Sequence, residues 1–341
     1  MVFVRADSNS IIASGHIMRC LSISKAIMSN GEVVHFLLAD ENASSVLKEA
    51  GIDYTVLNSD WQNLMSDADQ VKKILQSDNN PILLIDTYSV TKEYVEYLSP
   101  YAKIVFLGSK QDYLGNVDIL INYSADIDFG FYNRYYSEGT RLLLGPKYAP
   151  LREEFQNVSK TYKNFIERIL LTTGNTDRDH MVNAILQLIL PSINETNIVV
   201  DVIIGRMFDD KEGLHRNYDN NNHVCFHENV KSMSTLMLDC DLAISANGTT
   251  VFELSAIGLP AITFAMVPEQ VKSAEALSDL GVIDYCGSSY VESDSCLKNI
   301  KSRVDYYLYH NDELISLGKA ANKLIDGNGC KKITEMILSI E

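Results

Sequence analysis

The residues best suited to chemistry fall in four short blocks, each just after an apolar run. The first is 7–15, DSNSIIASG, which leads into His16 at the head of a segment whose apolar Ile17, Leu21 and Ile27 suit one helix face. A helix N-terminus disfavours added positive charge, so an imidazole there stays neutral and can accept a proton. The plainer alternative is a polar first-turn residue without chemistry. His35, His180, His215, His223 and His310 have weaker settings, and His227 ends a strand as a weaker candidate. The second block is 85–88, IDTY, where Asp86 could orient either a sugar hydroxyl or His16, with Tyr88 beside it; an Asx-turn is the alternative. The third is 172–177, TTGNTD, where Gly174 and Asn175 let backbone approach a ligand closely.

The fourth block is the sharpest: 245–260, SANGTTVFELSAIGLP. A strand runs through Ser245 into a small turn at Asn247 and Gly248, and a helix opens at Thr249 and Thr250. Backbone N–H groups and hydroxyls at such an opening suit a diphosphate. Glu253, one turn in, could accept two hydrogen bonds from a ribose diol. The alternative is an N-cap followed by a first-turn Glu.

These blocks need elements to carry them. Strand candidates lie at 2–6, 33–39, 54–57, 82–86, 104–107 and 118–122, then at 168–173, 197–204, 224–227, 242–245, 261–264 and 282–285. Helical patterns fit 17–28, 65–75, 179–190, 232–240, 249–257 and 270–280. Apolar strands alternating with helices predict doubly wound parallel sheets, which bind ligands beyond the carboxyl ends of their strands. At 341 residues, against about 100–200 per domain, two domains are expected, with the crossing at LGPKYAP, 144–150. The expected division is 1–150, a Rossmann-like domain carrying His16; 151–305, a second such domain; and 306–341, C-terminal helices packing back on the first.

A formal charge of −16 argues against nucleic acid and anionic membranes as partners, yet leaves an anionic small ligand possible. No apolar run reaches the roughly 18 residues of a membrane span, and MVFVRADSNS lacks a secretory pattern, so a cytoplasmic protein is expected. Cys20, Cys225, Cys240, Cys286, Cys296 and Cys330 form no CxxC pair and stand beside no His at metal-ligand spacing. They read as reduced thiols, several of them buried, and no metal or cofactor is expected.

The blocks 13–24 (ASGHIMRCLSIS), 145–155 (GPKYAPLREEF) and 241–264 (DLAISANGTTVFELSAIGLPAITF) resemble the UDP-sugar hydrolases of the pseudaminic-acid pathway, PseG, and the related SpsG proteins of spore-coat polysaccharide biosynthesis. Both are similar to MurG-type glycosyltransferases. The resemblance implies an α/β GT-B fold, with two Rossmann-like doubly wound domains facing across a cleft. It implies metal-free, inverting hydrolysis of a UDP-linked deoxy amino sugar, UDP-2,4-diacetamido-2,4,6-trideoxy-β-L-altropyranose in PseG, to the free sugar and UDP. His16 matches the catalytic base, and Asn247–Thr250 and Glu253 match the uridine diphosphate segments. Gly15 and Arg19 of the first block, Gly174, Asn175 and Ser245 join the expected substrate set. Asn175 stands where relatives often carry a second Gly, Ala13 and Ser14 where they favour Gly-rich residues, and Gly108 and Ser109 where they usually place an acidic pair. The sugar and the oligomeric state are not given by these residues. A GT-B glycosyltransferase, with His16 deprotonating an acceptor hydroxyl, and a non-catalytic sugar-nucleotide-binding protein remain the alternatives.

Overall fold

The computed structural model describes all residues except Ser10, Ile11, Ala13, Ser137, Glu138 and Glu341. The chain divides into two compact units, Met1–Arg152 with Asn328–Glu341, and Glu153–Gly327.

The first unit runs β1 (Val2–Ala6), α1 (Gly15–Ser29), β2 (Val34–Leu38), α2 (Ser44–Ala50), β3 (Asp53–Val56), α3 (Ala68–Leu75), β4 (Ile82–Asp86), α4 (Lys92–Leu98), β5 (Lys103–Leu107), β6 (Ile119–Asn122), α5 (Phe129–Tyr135) and β7 (Arg141–Leu144). Its sheet is parallel in the order β3-β2-β1-β4-β5-β6-β7. Side chains alternate across a strand, so an all-apolar strand feeds two cores. Ile82 and Leu84 of β4 enter the core under α1, while Leu83 and Ile85 enter the one that holds Val71 of α3 and Val95 of α4. Arg5 breaks the apolar run of β1. It is fully buried and bonds Asp67 through Nε at 3.2 Å and Nη2 at 3.0 Å, and Asp7 through Nη1 at 2.5 Å. Tyr94 donates to the same Asp67 at 3.0 Å. A buried guanidinium persists only with such partners.

The second unit runs β8 (Arg168–Thr172), α6 (Met181–Ile193), β9 (Val199–Ile204), α7 (Lys211–Tyr218), β10 (Val224–Glu228), α8 (Met233–Asp239), β11 (Leu242–Ala246), α9 (Thr250–Ile257), β12 (Ala261–Ala265), α10 (Val271–Asp279), β13 (Asp284–Ser288), α11 (Ser289–Tyr307) and α12 (Asn311–Leu324). Its parallel sheet has the order β10-β9-β8-β11-β12-β13, the dinucleotide-fold order. Of the C-terminal helices, α12 packs on α9 in this unit, whereas α13 (Gly329–Leu338) packs on α1 in the first.

Several elements differ from the sequence expectation. Strand β7 and helices α2, α4, α5 and α7 are additional, each four to eight residues long and too short to show a period. Strand β13 lies later than the expected 282–285. Val282 and Ile283 are buried but precede the ladder, which pairs Asp284 with Ile262 and shifts register between Thr263 and Ala265.

Candidate active site

In each sheet the strand order reverses at one place, between β1 and β4 in the first unit and between β8 and β11 in the second. The four blocks picked out from the sequence follow these four strands. Open α/β sheets bind ligands at such switch points.

In the first unit His16 is the second residue of α1 and is buried. Its Nδ1 lies 2.6 Å from Asp86 Oδ1, at the carboxyl end of β4. Arg19 grips the same carboxylate, through Nε to Oδ2 at 2.5 Å and through Nη2 to Oδ1. Arg19 Nη2 also stands 3.0 Å from His16 Nδ1. An ionised carboxylate only accepts, so the shorter contact, to Asp86, is a hydrogen bond when Nδ1 carries the proton; Arg19 Nη2, which only donates, then gives its hydrogen to Asp86 Oδ1 and not to Nδ1. The lone pair then sits on Nε2. Asp86 is fully buried, which by itself pushes its carboxyl up. Arg19 first, then the bond from His16, outweigh that and hold it below the ordinary carboxylate value.

Tyr88 packs edge-on against the His16 ring at a centroid distance of 4.6 Å and is itself exposed. Arg19 Nη1 donates to Tyr123 Oη at 3.1 Å, and Cys20 Sγ donates to Asp86 Oδ2 at 3.4 Å. Burial and the neighbouring Asp86 push the Cys20 thiol well up, which makes it a bystander rather than a nucleophile. Gly15 opens α1. The residues Ser10, Ile11 and Ala13 of the preceding loop lie outside the described residues.

Two sequence expectations are sharpened here. Both oxygens of Asp86 are taken up by His16, Arg19 and Cys20. Arg19, grouped from the sequence with substrate contacts, stands inside the His16–Asp86 cluster. Tyr123 and Cys20 escaped the sequence reading. The spacing 16, 19, 20 is one helix face and could have flagged Cys20; nothing local marks Tyr123. Gly108 is pressed by its neighbour: a Cβ there would stand 2.7 Å from Phe106 Cζ.

In the second unit Ser245 is the last residue but one of β11 and is buried, with Oγ donating to the Ala246 carbonyl at 2.9 Å. Asn247 is buried too, and its Nδ2 donates to the Gln270 carbonyl at 3.1 Å. Among the described residues its Oδ1 is buried without a hydrogen-bond partner, an unusual expense for a native interior. Gly248 and Thr250 are half-buried and Thr249 is exposed. Thr249 has helical backbone angles and its side chain makes no capping bond. Glu253 is half-buried in the first turn of α9.

Across the switch point, Gly174 holds φ at +87° and its loop lies against Gly205, where a Cβ would meet Gly174 O at 2.3 Å. Met207 N donates to Asn175 O at 3.0 Å. Asp177, in the same block but unassigned from sequence, accepts from Val182 N at 3.1 Å. Burial pushes its carboxyl up to about 6.

Not every cavity belongs to these loops. One of about 480 Å³, lined by Asn80, Tyr101, Lys103 and Asp118 among others, opens at the amino ends of β4 and β5, the opposite end of the sheet from His16.

Similarity to known proteins agrees with this architecture. No family model matches the chain. The Bacillus subtilis spore coat polysaccharide biosynthesis protein SpsG is 24% identical over 353 aligned residues, covering 98% of this chain and 97% of SpsG. Acinetobacter baumannii MurG superposes with a TM-score of 0.70 at 13% identity over 99% of each chain. The chain is SpsG-like and has the GT-B fold. The SpsG-like chain is also 24% identical over 276 residues to Methanocaldococcus jannaschii protein MJ1062, covering 76% of this chain but only 54% of that longer protein. A Streptomyces glycosyltransferase, SsfS6, solved with thymidine diphosphate, superposes with a TM-score of 0.60 at 15% identity over 99% of each chain. At such identities the solved structures establish the fold alone.

Proposed function

We propose that the chain is an enzyme of surface-polysaccharide or nonulosonic acid biosynthesis that hydrolyses a UDP-linked amino or deoxy sugar to the free sugar and UDP, with inversion at the anomeric carbon. The observation that carries this reading is the His16–Asp86–Arg19 cluster. Arg19 fixes the carboxylate, the carboxylate fixes Nδ1–H, and Nε2 is left as a proton acceptor. In the reaction a water gives its proton to Nε2 as its oxygen bonds to the anomeric carbon, and the carbon–oxygen bond to UDP breaks on the opposite face. UDP is a good leaving group, so no second carboxylic acid is required. The growing charge on the diphosphate would be met by the N–H groups of Thr249 and Thr250 in the Gly248–Thr250 turn, with Asn247 beside them and Glu253 on the ribose. Tyr88 would border the sugar. Gly174 and Asn175 would let the backbone approach it. The bound thymidine diphosphate of SsfS6 supports a nucleoside diphosphate as the shared ligand chemistry.

Glycosyl transfer is the second reading. It is favoured by the glycosyltransferases among the superposed structures and by Gly108 and Ser109, which leave the usual acidic pair absent. An acceptor hydroxyl then replaces water at Nε2.

A panel of UDP-sugars incubated without acceptor separates the two. The expected result is UDP release, with the anomeric configuration of the nascent sugar inverted by NMR, and a His16→Asn variant slowed on the order of 10²–10⁴-fold. UDP should still raise the melting temperature of that variant. Release only when an acceptor is added would establish transfer. UDP binding without turnover by any sugar would establish a binding protein.

A further inference from the structure

The second unit holds a cluster that the reaction above does not use. Strand β10 is the edge of its sheet and lies beside β9, with Cys225 directly opposite Asp201. His227, two residues further along β10, shares that face because strand side chains repeat every second residue. One sulfur, one imidazole nitrogen and one carboxylate oxygen from these residues lie within 4.8 Å of one another. Asp201 is fully buried, whereas Cys225 and His227 are half-exposed on the edge strand, so an ion can reach them from solvent.

We propose that Asp201, Cys225 and His227 bind one zinc ion, with water in the fourth position. Thiolate, imidazole and carboxylate together form a donor set suited to tetrahedral zinc, which bonds them at about 2.0–2.3 Å. The two strands fix the three Cα positions, so only side-chain torsions have to adjust. His227 Nε2 now stands 2.7 Å from Asp201 Oδ1; the ion takes the place of that hydrogen bond, and the ring proton moves through solvent from Nε2 to Nδ1 so that Nε2 can ligate. The Cys225 proton leaves to solvent as the sulfur–zinc bond forms.

Arg168 is the obvious competitor. It holds Asp201 through Nε to Oδ2 at 2.8 Å and through Nη2 to Oδ1. Each carboxylate oxygen has two lone pairs, so Oδ1 can accept from Arg168 and still ligate. The Arg168 side chain is 35% exposed, and water screens its charge. Cys240 Sγ stands 3.8 Å from the other oxygen, Oδ2, and donates to the Leu236 carbonyl at 3.3 Å, which keeps it out of the donor set. The ion would tie edge strand β10 to β9, away from the β8–β11 switch point. The proposal does not depend on which reaction the protein performs.

The expectation from sequence that no cysteine stands beside a His at metal-ligand spacing passes over Cys225-x-His227, which supplies two donors on one strand face; the third, Asp201, comes from the adjacent strand.

The test uses the full chain, stripped with a chelator and returned to chelator-free buffer. Titration with Co²⁺ should produce a thiolate-to-cobalt charge-transfer band that saturates at one equivalent and is displaced by Zn²⁺. Cys225→Ser should abolish the band. His227→Ala should weaken Co²⁺ binding by at least the roughly tenfold seen when a group that merely supports a metal ligand is removed. Both changes are at half-exposed positions, and circular dichroism checks that each variant is folded. Absence of the band in the unmodified protein, its survival in Cys225→Ser, or unchanged affinity in His227→Ala would each overturn the proposal.

Discussion

A histidine becomes a base only when something decides which ring nitrogen carries the proton. In the proposed reaction that group is Asp86, buried and held ionised by Arg19 against the pull of burial. Replacing Asp86 with Asn keeps the shape but removes the charge and lets the ring take the other tautomer. The expected outcome is a fall in kcat on the order of 10²–10⁴-fold with nucleotide affinity changed little, read from steady-state UDP release beside calorimetric UDP titration. Unchanged turnover in a folded Asp86→Asn protein would remove the dyad from the mechanism. The residue pattern already showed His16 and Asp86 as candidates. That they share one hydrogen bond, and that Arg19 belongs with them, required the neighbouring positions of β1 and β4.

The loops carry the candidate chemistry, and the elements set their terms. Asp177 joins β8 to α6 and accepts from Val182 N, the second residue of that helix. Its carboxyl is raised from 3.8 to about 6 because burial penalises the charged form. A raised carboxyl binds its proton more tightly in the fold than in the unfolded chain. Its favourable contribution is therefore complete below the unfolded value and is lost as the pH rises through about 6. Asp177→Asn keeps an acceptor for Val182 and removes the charge. It should stabilise the protein at pH 8, by on the order of 1 kcal/mol after solvent screening, and give no gain at pH 3.5. Urea denaturation of both proteins at the two pH values checks this; equal midpoints at pH 8 would contradict it. Elements with long apolar runs, such as β4 and β11, were visible from their residues alone. Short ones were not: Thr91 caps α4 by accepting from Tyr94 N, a signal shared by many turns.

At the scale of the whole molecule the chain leaves its first unit at Arg152 and returns to it at Asn328. Helix α13 then contributes Cys330, Ile333 and Ile337 to the core that contains Ile17, Cys20 and Ile27 of α1. The end of the chain thus supports the helix that carries His16. Ile333→Ala should cost about 2–5 kcal/mol, the range for a large-to-small change in a packed core. The loss should fall on the first unit, where hydrogen exchange should rise in α1 and β1 while β8 and β11 keep their protection. Uniform loss of protection in both units would show that they unfold together.

Taken alone, the sequence determined the class of architecture, the four loops and the residue types in them. Periodicity, turn residues and polar groups after apolar strands are local properties, so a one-dimensional reading recovers them. The tertiary structure decided which loops share a switch point, because strand order depends on crossovers that leave no mark in any single strand. It also decided that Arg19 serves Asp86, that Asn247 keeps a buried oxygen without a partner, and that Asp201 meets Cys225 and His227. Each of these depends on burial and on distances between residues far apart in the chain or on neighbouring elements, which exist only once the chain has folded.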